Sequence, residues 1–487
     1  MARLVVVSNR VSLPVRGEKR AGGLEVALQG VFQKHPGAWF GWSGRVVSKG
    51  EIKTVASEVD GRGYIVTDLT EEDFNEYYNG FANRVLWPIL HYRLDLAEYS
   101  LRDLTGYLRV NEHFADELHK TIEPGDILWV HDYHLIPLAK ALRDRGHKNK
   151  IGFFLHTPLP PTEILAALPR HEQIFPALAN YDLVGFQTEI DSINFARYLI
   201  NECKLPSRDL RTFLCEGRSM QLGVFPVGVN VEEIGQWAER GADSNFVRRV
   251  SESLSGRTMI IGVDRLDYSK GIVPRMEAFE RLLIRNPEWR SRVTYLQITP
   301  RSRPKIREYI EMDQLVSTTA GRINGTHGEA DWTPIRYINR SYARQALAGL
   351  YRRARVGLVT PLRDGMNLVA KEYVAAQNPE DPGVLVLSRF AGAAAECEGA
   401  VLINPYDTEA VAEALSRALT MPAEERKSRH AASLRRLTEN DIRHWGDRFL
   451  ASLESADQEM SMFSEITAPA GRGPQAGAAA VPVMRVG

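Results

Sequence analysis

The chain is short of cysteine, of charge of one sign and of long apolar runs, and each shortage closes off a class of protein. Only three cysteines, Cys203, Cys215 and Cys397, occur in 487 residues. So sparse and odd a set makes no disulfide framework and shows no metal-ligand spacing, so a reducing compartment is expected. Basic and acidic side chains balance at 61 each, which gives no bulk field toward nucleic acid or a membrane surface. No apolar run is long enough to span a bilayer. The apolar stretch Leu4 to Val7 is too short for a signal peptide and reads as a first strand. A cytoplasmic protein is the resulting expectation. The length exceeds one ordinary core and suits two domains.

Short apolar, β-branched runs alternate with longer amphipathic stretches. Strands are expected at Leu4 to Val7, Asp126 to Val130, Ile151 to Leu155, Leu183 to Phe186 and Gln221 to Pro226. A second series follows at Met259 to Val263, Tyr295 to Thr299, Val356 to Thr360 and Val384 to Leu387. Such alternation predicts an α/β protein with parallel sheets and helices on both faces. Ligands of such sheets lie beyond the carboxyl ends of strands. A boundary is expected near Pro226 to Asn230, giving domains 1–230 and 231–440. The helical stretch 441–453 should pack back on the first domain, and the tail 455–487, rich in Ala, Gly and Pro, should be disordered.

The polar candidates do cluster after these runs. Arg363 to Tyr373, RDGMNLVAKEY, follows the strand ending at Thr360. A strand, a turn eased by Gly365 and a helix start place backbone N–H groups where an anion can sit. Glu372, further along that helix, suits a pair of sugar hydroxyls. Arg265 and Lys270, after the Met259 to Val263 strand and before Gly271, look like a diphosphate clamp. Together they suggest a nucleotide-sugar enzyme. Gly22-Gly23 before a helical stretch would let backbone approach a phosphate, and an ordinary flexible turn explains it equally well. Arg10 ends the first strand, where a surface charge is the competing reading. Aromatics such as Tyr78 and Trp87 suit sugar faces, although core packing is the commoner fate of any one of them. His131 and His134 have no third partner for a metal, which leaves Asp132 as the better candidate, a hydroxyl acceptor. His156 ends another strand, with structural and functional readings evenly matched.

The ordered motifs SNR, AGGL, WFGWSG, EYYN, VLWP, WVHDYH, GFFLHTP, GFQTE, RLDYSKG, AGRINGTHG, WTPI, GLVTPLRDGMNLVAKEY and INPYD strongly resemble the trehalose-6-phosphate synthases, from about Arg3 to Leu453. That resemblance implies the GT-B fold, two Rossmann-like domains facing a central cleft. It also implies transfer of glucose from a nucleotide sugar, usually UDP-glucose, to glucose 6-phosphate with retention and without a cofactor or metal. The absence of any Asp-x-Asp triplet agrees. By position, Arg10, Tyr78, Trp87 and Arg303 match residues that hold the acceptor and its phosphate, with Asp132 on an acceptor hydroxyl. Gly22 and Gly23 match the donor-side loop of the first domain, and Arg265 and Lys270 the pair on the diphosphate. Asp364 matches a residue on the donor glucose and Glu372 the ribose ligand. The peptide groups of Leu368, Val369, Ala370 and Lys371 match the turn on the donor. Tyr342 is expected to contact it through backbone, and His156 matches a histidine near the reacting centre. Arg301 competes with Arg303 for the phosphate. A dimer or tetramer is implied, with no nucleic-acid or membrane partner. The rival readings are glucosylglycerol-phosphate synthase, α-glucan phosphorylase, whose pyridoxal lysine motif is not visible, and a catalytically silent sugar-phosphate sensor.

Overall fold

The computed structural model describes residues 2–11, 28, 30–32, 34–59, 61–302 and 306–456. Gly22, Gly23, Arg303 and the tail from 457 onward lie outside the described residues. Among the described residues, fifteen strands form two sheets. The first contains β1 (Leu4–Arg10), β2 (Gly37–Val47), β3 (Thr54–Val59), β4 (Arg62–Thr70), β5 (Ile127–His131), β6 (Lys150–Phe154), β7 (Leu183–Phe186), β8 (Thr212–Cys215) and β9 (Arg218–Val224). Their order is β3-β4-β2-β1-β5-β6-β7-β9-β8, parallel except at the two edge strands β3 and β8. The second contains β10 (Thr258–Val263), β11 (Val293–Ile298), β12 (Ile335–Ile338), β13 (Val356–Val359), β14 (Val384–Ser388) and β15 (Val401–Ile403). Its order, β12-β11-β10-β13-β14-β15, is wholly parallel.

The central strands are buried along nearly their whole length, as continuous apolar runs in parallel sheets require. All nine expected strands form, with ends shifted by up to three residues. Those without an expectation have physical reasons for being hard to read. Glycines interrupt β2, β3 is largely exposed, and β8 and β15 are only four and three residues long.

The segment bearing Tyr77 and Tyr78 winds as a π-helix from Phe74 to Leu86 and passes into an α-helical turn at Trp87–Leu90. Side chains reach back five residues along it. The Asn83 amide donates to the Tyr78 carbonyl at 2.7 Å and Arg84 Nε to the Asn79 carbonyl at 3.3 Å. This widens the turn, a form common at functional sites.

Two crossings join the sheets, at Pro226–Asn230 and at Asn440–Asp441. They touch there: a Cβ on Gly228 would stand 2.3 Å from the Asn440 carbonyl oxygen, so only glycine fits. The last helix, Ile442–Ser455, then lies on the first sheet. Phe449 stacks on Trp129 with centroids 4.5 Å apart and meets Phe225 edge-on at 5.1 Å. Lys371, fully buried, donates to the Val227 carbonyl at 2.7 Å and to Glu396, tying the first crossing to the second sheet.

Candidate active site

Residues after β1, β5 and β6 meet residues after β10 and β13. In the second sheet the order reverses between β10 and β13, so the loops at 264–271 and 360–367 occupy the crevice where open α/β sheets take ligands. The Gly365 turn rests directly on the first sheet's loop. A Cβ there would stand 2.1 Å from the His156 carbonyl oxygen, so the glycine is required by close backbone approach.

On the second-sheet side, Lys270 Nζ pairs with Asp364 Oδ2 at 2.5 Å, both side chains nearly buried. Asn367, at φ 74°, donates to the same oxygen at 3.0 Å while its own oxygen accepts from Ala370 N. It caps the helix Leu368–Ala376. Burial works to raise the Asp364 pKa, but Lys270 and Asn367 bring it below the usual value. Glu372 sits in the second turn of that helix, where burial pushes its carboxyl up to about 7 against the pull of Arg344. It lines a recess of about 600 Å³ together with Gly228, Asn230, Trp237, Arg344 and Leu368. The starts of three helices, at Val231, Arg344 and Leu368, border this recess. Tyr342 packs on Phe246, centroids 5.1 Å apart.

On the first-sheet side, Asp132 holds a left-handed backbone, φ 77° and ψ 164°, a strained state of the kind found at functional sites. Its Oδ1 accepts from His156 N at 3.3 Å. His156 Nε2 meets His131 Nδ1 at 3.1 Å, and burial lowers the His156 pKa to about 3. Tyr78 stacks on His134 at 5.9 Å and lies 6.0 Å from Trp42, over which the Arg10 guanidinium sits at 5.6 Å.

Aromatic residues of the first half receive arginines of the second. Arg265 lies 5.9 Å over Trp87, and Arg363 4.1 Å over Tyr92. The His91 ring lies tilted against Trp87 with centroids 4.1 Å apart, and its Nδ1–H donates to the Trp87 carbonyl at 2.8 Å. Burial lowers its pKa to about 4, against the pull of Asp267 and Asp364. His91, Trp42, Arg363 and Asn367 were not among the sequence candidates, although the motifs WFGWSG, VLWP with HYR, and RDGMN contain them. Among the described residues, no three His, Cys, Asp or Glu side chains converge as a metal site. No helix of the described residues is long and apolar enough to cross a membrane.

Of the described candidates, Trp87 meets Arg265, and Asp132 and His156 lie at the Gly365 turn, next in sequence to Asp364 with its partner Lys270; Arg10 and Tyr78 gather round Trp42, and Leu368 and Glu372 line the recess. The side chain of Lys371 is turned to structure, as its buried bonds to Val227 and Glu396 show. Arg301 is exposed and pairs with Asp313 at 3.0 Å.

Comparison with known proteins agrees with this geometry. A trehalose-6-phosphate synthase of Sinorhizobium fredii is 52% identical over 94% of this chain and 99% of its own. A Burkholderia xenovorans UDP-forming α,α-trehalose-phosphate synthase, solved in complex with glucose 6-phosphate, superposes with a TM-score of 0.90. It is 46% identical and covers 93% of this chain and 100% of its own. A trehalose-6-phosphate enzyme of E. coli bound with UDP-2-fluoro glucose gives 0.88 at 44% identity, over 93% and 99%. The architecture is accordingly GT-B, as the motifs implied. The model of glycosyltransferase family 20 matches residues 3–455, and the chain belongs to that family.

Proposed function

We propose that this enzyme transfers glucose from UDP-glucose to glucose 6-phosphate with retention, giving α,α-trehalose 6-phosphate and UDP. The observation that carries the reading is the meeting of two chemically distinct half-sites, Lys270–Asp364 with Arg265 on one side and Asp132–His156 with Trp87 on the other. In glucosyl transfer, negative charge grows on the leaving diphosphate. Arg265 and Lys270 meet that charge with preorganised cations, and the helix start at Leu368 adds aligned N–H groups. The recess beside Glu372 takes the nucleoside, its carboxylate accepting the ribose hydroxyls. Asp364 and His156 face the donor glucose. Arg10, Tyr78, Trp87 and Asp132 hold the acceptor, with Arg303 on its phosphate. The ion pair of Arg301 with Asp313 supports that choice of arginine. No Asp or Glu stands out in the sequence as the nucleophile of a glycosidase-like carboxylate pair, in keeping with front-face return in which a donor phosphate oxygen takes the acceptor proton.

In this reading residues 1–230 are the acceptor half, 231–440 the donor half, and the enzyme is a cytoplasmic homo-oligomer. The test is UDP release from UDP-glucose with and without glucose 6-phosphate, with the product identified by mass. Release that depends on glucose 6-phosphate and yields the phosphorylated disaccharide supports the reading. Dependence on glycerol 3-phosphate instead indicates the glucosylglycerol-phosphate reaction, and no release with any acceptor indicates a sensor.

A further inference from the structure

His131 ends β5 at 0% exposure, one residue before Asp132. Its Nδ1 lies 3.1 Å from His156 Nε2, and its Nε2 has no hydrogen-bond partner among the described residues. Its surroundings are aromatic, with ring centroids of Trp129 at 4.7 Å, Trp445 at 6.2 Å and Phe154 at 6.4 Å. Both histidines are kept neutral by burial. A neutral imidazole carries one N–H and one bare nitrogen, so the contact between them runs in one of two directions.

If His156 donates from Nε2, His131 must carry its own hydrogen on Nε2. That is a fully buried N–H without an acceptor, for which a ring face is a second-order substitute. The box already holds two buried indole N–H groups without acceptors among the described residues, Trp129 Nε1 and Trp445 Nε1. A third orphan donor would compound the cost. If His131 donates from Nδ1, its Nε2 is a bare lone pair, and the box that holds the two indole donors gains no third one. This second arrangement is the favourable one, and it leaves His156 with its hydrogen on Nδ1.

We propose that His131 is a positioning residue that fixes the tautomer of His156, so that His156 Nδ1 presents an N–H to a hydroxyl of the donor glucose. Within the described residues, His156 Nδ1 makes no hydrogen bond of its own. The Gly365 turn, next in sequence to Asp364, rests on the His156 carbonyl. The inference rests on the reading above that His156 faces the donor sugar. It adds that the wrong tautomer would offer that hydroxyl a lone pair in place of a donor, and that Trp445 of the last helix helps to set which one forms.

The test uses the full-length enzyme labelled with ring-¹⁵N histidine, the His156 signals being assigned by comparison with His156→Gln. The wild type should show a pyrrole-like Nδ1 and a pyridine-like Nε2 at His156. The reverse pattern would overturn the proposal outright, whatever the variants do. In kinetics, His131→Leu should lower kcat by about tenfold, the worth of one neutral hydrogen bond. His131→Asn, whose amide occupies the Nδ1 position, should recover most of that loss, a rescue that mere packing does not predict. Equal rates for the Leu and Asn variants would count against the tautomer role. If His131→Leu does not fold, the wild-type spectrum alone decides. Full activity in His156→Ala would instead sink the underlying placement of His156, independently of its tautomer.

Discussion

Replacing Lys270 with alanine should separate two jobs that one side chain performs. In the free enzyme, Lys270 neutralises Asp364 at 2.5 Å, with 12% and 13% of the two side chains exposed. Breaking a fully buried ion pair by removing one partner costs about 3–5 kcal/mol. Asn367 still donates to the Asp364 carboxylate at 3.0 Å, and some water reaches the site, so a loss of about 1–3 kcal/mol is expected, the range for a stranded buried polar group. In the proposed reaction, the same ammonium would meet charge that is greatest in the transition state. Losing one such donor lowers kcat by about 10²–10³. Asp364→Asn strands the Lys270 ammonium in turn, so a stability loss of the same order is expected.

The assay is kcat and KM for UDP release in wild type, both single variants and the double variant, with thermal unfolding of each. The lost pair should show as coupling of about 1 kcal/mol or more in the stability cycle. Because Lys270 depresses the Asp364 pKa, the pair's contribution is complete above the usual value of 3.8. It is lost only as pH falls through the lower folded-state value. A Lys270→Ala enzyme within threefold of wild-type kcat would refute the diphosphate role. A stability cycle with no coupling would refute the pairing.

Arg265→Ala should also lower kcat by about 10²–10³, measured by the same UDP release. Arg303→Ala should cut kcat/KM for glucose 6-phosphate by about tenfold or more while changing that for plain glucose little, since a charged hydrogen bond is worth about 1.5–3 kcal/mol; equal losses would transfer the phosphate to Arg301. Glu372 is held at about 7 against an ordinary 4.5, so the fold favours its protonated form. Relative to Glu372→Gln, the wild type should therefore lose melting temperature as pH rises from about 5 to about 8, while donor KM improves over the same window as the carboxylate forms; identical pH profiles for the two would contradict this. A chain ending at Ala456 should keep full activity, because Leu453 and Ala456 are buried and the helix runs to Ser455, and circular dichroism with the UDP assay checks it. Phe449→Ala should destabilise by about 3–5 kcal/mol, read from denaturant midpoints.

Both the alternation of strands and the loops that follow them were legible in the sequence, because buried parallel strands are written as plain apolar runs. The candidate diphosphate pair, Arg265 and Lys270, stood out because it follows such a run, and Glu372 because it lies on the helix after another; Asp364 entered only through the family resemblance. Three kinds of feature were not. A strand such as β2, interrupted by glycines, looks like a loop. The cap at Asn367 depends on a left-handed backbone that no local pattern announces. The cross-sheet partners, His91 beside Trp87 near Lys270 and Arg363 over Tyr92, exist only once residues far apart in the chain are brought together. The expectation for Lys371 concerned its peptide group, and its side chain proved to serve the crossing between sheets.

The placement of the last helix carries a consequence for biogenesis. Trp445 and Phe449 complete the cluster around Trp129, Phe154 and Phe225, yet they are made more than 200 residues after those partners. A chain emerging from the ribosome therefore cannot finish its first sheet when that sheet's own residues are out. An apolar groove stays open while the second sheet is being synthesised, and only the final turns of helix close it. Premature termination anywhere after the second sheet should then yield a nascent protein with its second sheet nearly whole and its first sheet sticky and unfinished, the state most in need of a chaperone.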